Sequence, residues 1–190
     1  NQAGLSASVV DIDAFALQNA FETNYDFDAH QVVALIDIGA AVTTITIMRG
    51  GTSVFWRDIS LGGNQFTDAI QKELNLSAEQ SERVKRGEEA AGVPMDNVIP
   101  ILSSVGDDLG AEIQKTLDFY KATSSSDEPL DRIYLTGGTA QLVNLRESLA
   151  ERFGIQVELL DPFRKIESSR RSIPEDVMSR MSAAAAVAVG

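Results

Sequence analysis

Three consecutive strands are the feature that most constrains the fold of this chain. Residues 31–38 are nearly all apolar, which is typical of a strand buried on both faces of a sheet. Residues 43–48 are rich in β-branched side chains, and the Arg-Gly-Gly sequence at residues 49–51 predicts a turn into a third strand at residues 52–59. The pattern therefore predicts three strands in succession, joined by short turns.

Strand and helix patterns also flank this block. Residues 5–12 predict a strand, and residues 13–21 predict an amphipathic helix capped by Asp13. Beyond the block, apolar side chains recur at helical spacing, at Phe66, Ile70 and Leu74. A second, polar helix is predicted at residues 77–86. We expect these last two helices to form a separate, smaller lobe.

The second half of the chain continues the alternation. A long helix is predicted to follow Pro100 and to end before Ser124. A strand, a helix and another strand are then predicted at residues 132–135, 141–153 and 155–160. This order implies an α/β fold with a mixed sheet covered on both faces. Ligands of such sheets bind beyond the carboxyl ends of strands, here in the turns after Ile36 and Leu135.

Composition excludes several classes of function. The chain of 190 residues contains no cysteine and one histidine, so thiolate chemistry and histidine-rich metal sites are not expected. A net charge of -12 argues against nucleic acid as a partner, because phosphate binding needs clustered Lys and Arg. No apolar run approaches the roughly 20 residues that span a bilayer. We therefore expect a cytoplasmic protein that reaches a membrane only through a partner.

The turn after the first buried strand carries the first candidate site. Asp37 is placed there to hold the water shell of Mg²⁺, and small residues let backbone N–H groups approach phosphate oxygens. The candidate phosphate contacts in this turn are Gly39, Ala40, Ala41 and Thr43, with Thr44 as the alternative hydroxyl donor. The alternative interpretation is a hairpin turn that binds no ligand.

A second candidate turn follows the strand that ends at Leu135. Gly137, Gly138 and Thr139 lie between this strand and the predicted helix, so backbone amides could come close to a bound group. A Gly-Gly turn with a purely structural role is the alternative.

The third candidate lies on the polar helix between these two turns. Glu82, Lys85 and Arg86 share one helical face at spacings of three and four residues. This face is a candidate ligand site. The alternative is a solvated face with internal salt bridges.

In order and spacing, these segments resemble the superfamily of actin, the ATP-driven heat-shock chaperones and FtsA. The turn at Asp37 is similar to the second phosphate loop of the superfamily, and the turn after Leu135 is similar to its adenosine loop. The helix of Glu82 is similar to the adenine-side helix of the chaperones, which implies that Lys85 and Arg86 line the adenosine, where a cation can stack on a base or reach a ribose hydroxyl. The Leu-Gly-Gly sequence ending in Gly62 and Gly63 resembles the start of its small lobe, and this resemblance implies that Gly62 and Gly63 contact the nucleotide. The sequence at residues 10–17, with the Asp-Ile-Gly-Ala and Leu-Thr-Gly-Gly-Thr-Ala sequences, most resembles the PilM family of type IV pilus assembly proteins.

This resemblance implies an actin-like, ribonuclease H-like fold with a smaller inserted α-rich lobe. Residues 1–60 would be the first part of the second actin-like domain, residues 61–100 the inserted lobe, and residues 101–190 the remainder, ending in an Ala-rich connecting helix. The first domain would be absent. The resemblance also implies ATP and Mg²⁺ as cofactors, with Asp13 positioning the attacking water and with weak ATPase activity at most.

The function implied is an ATP-binding cytoplasmic scaffold of the pilus assembly platform, peripheral to the inner membrane. Its partners would be the N-terminal cytoplasmic tail of PilN and other pilus machinery proteins. Because the PilN groove of the family lies on the first domain, we expect this chain to bind PilN poorly and to self-associate through its uncovered surfaces. The alternatives are an FtsA-like cell-division or cytoskeletal actin homologue and an actin-fold sugar kinase or ATPase.

Overall fold

The three strands predicted between residues 31 and 59 are confirmed in a computed structural model, which describes residues 4, 6, 11–124 and 128–165. The first half of the chain forms α1 (Asp13–Asn24), β1 (Val32–Ile38), β2 (Thr43–Arg49), β3 (Thr52–Ile59), α2 (Gly63–Leu74) and α3 (Ala78–Lys85). The second half forms α4 (Met95–Thr123), β4 (Arg132–Thr136), a short 3-10 helix (Gly138–Gln141), α5 (Leu145–Phe153) and β5 (Gln156–Leu159).

The strands form one mixed sheet in the order β3-β2-β1-β4-β5. β1 and β2 pair antiparallel, as do β2 and β3, whereas β1 and β4 pair parallel, as do β4 and β5. Gly50 and Gly51 join β2 to β3 with φ angles of 54° and 83°. Such left-handed pairs match the twist of a two-residue hairpin, which explains the Gly-Gly sequence there.

Helices cover both faces of the sheet, as predicted. On one face, Leu17 and Phe21 of α1 pack with Leu35 and Tyr134. On the other face, side chains of α2, α3, α4 and α5 share one core with β1, β2, β4 and β5. The strand β1 is buried on both faces because its apolar residues alternate between these two layers. Among the described residues, no helix has the length and apolar content needed to cross a membrane.

The long helix begins earlier than predicted. α4 starts at Met95, with Pro94 as its N-cap, and contains Pro100, so the prediction that it follows Pro100 is wrong. Pro100 cannot donate a hydrogen bond to a carbonyl in the preceding turn. Pro100 is exposed, so water can satisfy that carbonyl, while Val98 is fully buried in the core. Burial of apolar side chains before Pro100 therefore outweighs the local cost of the proline.

The predicted helix at residues 141–153 is also shorter than expected. A single 3-10 turn follows the Gly-Gly sequence, and α5 begins only at Leu145. Asn144 precedes α5 in a left-handed conformation, and Leu142 is buried in extended conformation, so residues 142–144 break the helical pattern. A helix dipole directly after Gly138 is therefore not available to a ligand.

The N-terminal part of the chain carries one further correction. Asp13 does not cap α1: Ile12 is the N-cap residue, and no side chain caps this helix. Asp13 instead lies in the first turn, where a negative charge interacts favourably with the helix dipole. Of the strand predicted at residues 5–12, most lies outside the described residues, as does the Ala-rich segment at residues 183–189.

Residues after β5 return to the end of α1. The amide of Asp161 donates to the Tyr25 hydroxyl at 2.8 Å, and the amide of Lys165 donates to Asn24 Oδ1 at 3.0 Å. The Asn24 side chain also donates to the Ala20 carbonyl at 2.8 Å and is fully buried. These bonds fasten residues 161–165 to the C-terminal end of α1.

We expect Asn24→Ala to lower the free energy of unfolding by about 1–3 kcal/mol, because a buried amide loses two backbone partners. Urea unfolding followed by circular dichroism would measure this loss. Thr23→Ala is the matched control, because the Thr23 hydroxyl also bonds a carbonyl four residues earlier but is exposed. A loss for Asn24→Ala no larger than that of the control would contradict the expected role.

Candidate functional site

The carboxyl ends of two parallel strands meet at the candidate site. Asp37, near the end of β1, lies opposite Thr136 of β4 and opposite Thr44 of β2. Both candidate turns therefore leave the sheet at the same edge. The Thr44 hydroxyl donates to Asp58 Oδ1 at 2.7 Å, so Thr44 is engaged within the sheet.

The turn between β1 and β2 presents part of its backbone to solvent. The amide of Gly39 closes the turn by donating to the Val42 carbonyl at 3.0 Å. Ala40 and Ala41 are exposed, and within the part of the chain that the structure describes their amides make no hydrogen bond. The Thr43 hydroxyl is buried and donates to the Leu61 carbonyl at 2.8 Å. The free N–H groups of this turn therefore include those of Ala40 and Ala41.

Two other predicted segments lie directly against this turn. The Gly39 carbonyl accepts hydrogen bonds from the amide of Gly63 and from the Thr139 hydroxyl, each at 2.9 Å. The Ala40 carbonyl accepts a bond from the amide of Asn64 at 2.7 Å. The start of α2 and the turn after β4 thus converge on one carbonyl, although Gly39 and Thr139 are 100 residues apart in sequence. We refer to this meeting of residues 37–43, 62–64 and 137–139 as the three-turn junction.

Close backbone packing explains most of the glycines in the three-turn junction. A Cβ atom on Gly62 would lie 2.6 Å from the Gly39 carbonyl oxygen, and one on Gly63 would lie 2.5 Å from the Thr139 hydroxyl oxygen. At Gly137 it would lie 2.4 Å from the Ile38 carbonyl oxygen. Gly138 is different, because it is exposed and a Cβ atom there would meet nothing within 4 Å. Of these four glycines, only Gly138 has open space above it that another molecule could occupy.

The electrostatics of the three-turn junction centre on Asp37. Its side chain is largely buried, and within residues 11–124 and 128–165 no side-chain cation or hydrogen-bond donor contacts its carboxylate. Burial raises the pKa of Asp37, and the negative charge of Asp13 at the start of α1 raises it further. A carboxylate in this setting is stabilised by a cation, which hydrated Mg²⁺ would supply.

The polar helix α3 borders the three-turn junction through an ion pair in which only the lysine is buried. Lys85 Nζ lies 2.6 Å from Glu82 Oε2, and the Lys85 side chain is only 8% exposed, compared with 44% for Glu82. Burial acts to raise the pKa of Glu82, but hydrogen bonds from Lys85 and Thr67 and the charges of Lys85 and Arg86 hold it below its ordinary value. Lys85 is therefore not part of a solvated face.

Arg86 behaves differently from its neighbour. Its side chain is 56% exposed and lies 3.5 Å from Glu88, and its Nε donates to the Glu82 carbonyl at 3.3 Å. The solvated salt-bridged face considered from sequence thus describes Arg86 better than Lys85.

The site also contains two threonines that were not identified as candidates from the sequence. Thr67 of α2 donates to Glu82 Oε2 at 2.8 Å and accepts from Lys85 Nζ at 2.9 Å. The sequence offered one clue to Thr67, because it lies four residues after Gly63 on the same predicted helix. Thr136 has a buried hydroxyl without a hydrogen-bond partner in the described part of the chain. Its position beside the predicted turn after Leu135 was the signal there.

Comparisons with solved structures support the fold. A chain of the solved PilM-PilN type IV pilus biogenesis complex superposes with a TM-score of 0.84 at 26% identity, covering 98% of this chain and 52% of that chain. MreB5 of Spiroplasma citri bound to AMPPNP superposes with a TM-score of 0.66 at 15% identity, covering 99% and 60% of the two chains. This chain thus spans about half the length of the solved PilM-PilN relative.

Sequence similarity is consistent with the structural comparison. The cell division protein FtsA of Bacillus subtilis (strain 168) is 46% identical over 54 residues, which are 28% of this chain and 12% of that protein. The family described as "Type IV pilus assembly protein PilM" matches residues 1–190. The fold is that of an actin-like protein. Within that class, the chain belongs to the PilM family of type IV pilus assembly proteins.

Proposed function

We propose that this chain forms one wall of an ATP site in a scaffold protein of the type IV pilus assembly platform. The observation that carries the proposal is the shared Gly39 carbonyl, which joins the phosphate turn to the start of α2 and to Thr139. Three segments that the sequence marked as nucleotide contacts therefore lie at one edge of the sheet. A ligand at this edge would lie beyond the carboxyl ends of β1 and β4, as in other α/β proteins.

The phosphate side of the proposed site has two components. The free amides of Ala40 and Ala41 would donate to phosphate oxygens. Asp37 would hold the water shell of Mg²⁺, which neutralises phosphate charge when bound. The largely buried carboxylate of Asp37, whose pKa is raised, fits a cation better than it fits bulk water. Asp13, exposed and close enough to influence Asp37, would position a water molecule, and we expect hydrolysis to be slow at most.

The nucleoside side of the proposed site lies over Gly138. This residue leaves open space beside Thr139, and Glu82 and Arg86 expose about half of their side chains on α3. A planar guanidinium can stack on a base, and a carboxylate can accept hydrogen bonds from hydroxyl groups. We propose that these groups contact the adenosine.

The wider role follows from the family. The PilM family assembles type IV pili, and the solved relative is part of a PilM-PilN complex. We propose that the complete protein is cytoplasmic, is held at the inner membrane by partners, and binds the N-terminal tail of PilN and other pilus proteins. In this proposal, ATP and Mg²⁺ fix the angle between two domains, and the partners respond to that angle. Sedimentation with ATP would distinguish this scaffold from an FtsA-like polymer.

The ATP proposal is tested by Gly138→Leu in the complete protein. A Cβ atom at Gly138 would meet nothing within 4 Å, so we expect a leucine side chain to extend into the open space, with loss of Mg·ATP binding in calorimetric titration and little change in stability. Val143→Leu, at an exposed position in the next loop, is the control and should bind as the unaltered protein does. Full ATP affinity in Gly138→Leu would contradict the placement of the nucleoside.

The partner proposal is tested with a labelled peptide of the PilN N-terminal tail. We expect saturable binding to the complete protein and no measurable binding to this 190-residue chain, measured by fluorescence anisotropy. Equal binding to both would place the PilN contact on the part present here. No binding to either would contradict PilN as a partner.

A further inference from the structure

The buried lysine of α3 has no donor left for a ligand. Lys85 Nζ lies 3.1 Å from the Gly63 carbonyl oxygen, 2.9 Å from Thr67 Oγ1 and 2.6 Å from Glu82 Oε2. An ammonium group has three N–H donors, so all three are used within the protein. A direct contact between Lys85 and a nucleotide would require one of these bonds to break.

We infer that Lys85 is a positioning residue of the nucleotide site and not a ligand contact. This inference rests on the proposed function and specifies how the site is held in place. Lys85 would act along two routes, one through Glu82 on its own helix and one through Gly63 at the start of α2. Both routes begin at the same ammonium group.

The first route fixes the carboxylate that faces solvent. Glu82 receives hydrogen bonds from Lys85 and from the Thr67 hydroxyl through the same oxygen, Oε2. Its side chain is nevertheless 44% exposed, so the carboxylate can be reached by a ligand. Two bonds to one oxygen hold Glu82 in a single orientation before any ligand arrives. A ligand that binds this preorganised group does not have to order it.

The second route reaches the phosphate turn. Lys85 donates to the carbonyl of Gly63. The amide of Gly63 in turn donates to the Gly39 carbonyl at 2.9 Å. Thr139 donates to that Gly39 carbonyl from the opposite turn. The packing at this point is tight, because a Cβ atom on Gly63 would lie 3.4 Å from Lys85 Nζ and 2.5 Å from the Thr139 hydroxyl oxygen. Loss of the Lys85 charge would therefore loosen α2 against the phosphate turn.

A double-mutant cycle in the complete protein separates positioning from direct contact. The variants are Lys85→Met, Glu82→Gln and the double variant, with ATP affinity measured by calorimetric titration in the presence of Mg²⁺. We expect each single variant to weaken ATP binding on the order of tenfold, because each loses a charged hydrogen bond. If Lys85 acts through Glu82, the double variant should bind no more than about twofold more weakly than the weaker single variant.

One control variant and one alternative variant complete the cycle. Arg83→Met alters an exposed cation on the same helix and should leave ATP binding unchanged. If Lys85→Met does not fold, Thr67→Val tests the same network, because it removes the hydroxyl that bonds both Lys85 and Glu82. We expect Thr67→Val to bind ATP more weakly than the unaltered protein. Its combination with Glu82→Gln should cause no further loss.

Three outcomes would overturn the inference. Independent, multiplicative losses in either cycle would show that Lys85 or Thr67 does not act through Glu82. Unchanged affinity in folded Lys85→Met would show that its bonds serve stability alone. Failure of the unaltered protein to bind ATP would overturn the proposed function and this inference together, whereas the first two outcomes leave the proposed function intact.

Discussion

Gly137→Ala is expected to lower the free energy of unfolding by about 3 kcal/mol or more. Gly137 has a φ angle of +90°, a conformation that residues with a side chain rarely adopt and that costs about 1–3 kcal/mol. A Cβ atom there would also lie 2.4 Å from the Ile38 carbonyl oxygen and 2.5 Å from Asp37 Oδ1. Neither group can retreat easily, because β1 lies between β2 and β4 in a fixed register. Strain and steric overlap therefore add at this position.

The adjacent glycine supplies a matched control. Gly138→Ala should change the free energy of unfolding by no more than about 0.5 kcal/mol, because a Cβ atom at this exposed position would meet nothing within 4 Å. Urea unfolding of this chain measures both changes under the same conditions. Equal stabilities of the two alanine variants would show that the packing around Gly137 can relax.

These two glycines show what the sequence could and could not predict about the site. The sequence correctly placed a Gly-Gly turn at the end of β4 and another at the start of α2. At Gly62, Gly63 and Gly137 other parts of the chain leave no room for a side chain, whereas Gly138 faces open space. This distinction depends on which carbonyl lies opposite each glycine. Sequence spacing alone contains no information on contacts between residues 100 positions apart.

Strands were predicted more closely than helix boundaries for a physical reason. The bounds of β3 agree with the prediction, and those of β1 and β2 differ by one residue, because β-branched and apolar runs end abruptly at turns. Helix ends depend on tertiary burial as well as on local signals. Pro100 is a strong local stop signal, yet Val98 is buried, and the helix extends to Met95.

The charged face of α3 illustrates the same limit for function. Spacing placed Glu82, Lys85 and Arg86 on one side of a helix, but the two interpretations considered were a ligand site and a solvated face. The structure instead buries Lys85 beneath α2 and exposes Glu82 and Arg86. The deciding contact is with Gly63, which lies in another helix.

Asp37→Asn is expected to stabilise the ligand-free chain. Burial and the charge of Asp13 raise the pKa of Asp37, so the folded state retains this proton to higher pH than the unfolded state does. The contribution of Asp37 to stability is therefore full below its ordinary pKa and is lost as the pH rises through the raised value. Asparagine has a similar shape and no charge, so it avoids this loss. Urea unfolding from pH 3 to pH 7 should show the variant gaining stability relative to the unaltered chain as the pH increases.

The same substitution should have the opposite effect when Mg·ATP is present. An amide cannot replace a carboxylate in holding the water shell of Mg²⁺, so affinity in the complete protein should fall on the order of 10- to 100-fold. A ligand stabilises the folded state by an amount that grows with the logarithm of its concentration relative to Kd, about 2.7 kcal/mol at a concentration 100 times Kd. The unaltered protein should therefore melt below Asp37→Asn without ligand and above it with saturating Mg·ATP. Asp68→Asn, which alters an exposed carboxylate on α2, should follow the unaltered protein in both conditions. If Asp37→Asn keeps full Mg·ATP affinity, Asp37 does not hold the metal, and its raised pKa reflects only burial and the charge of Asp13.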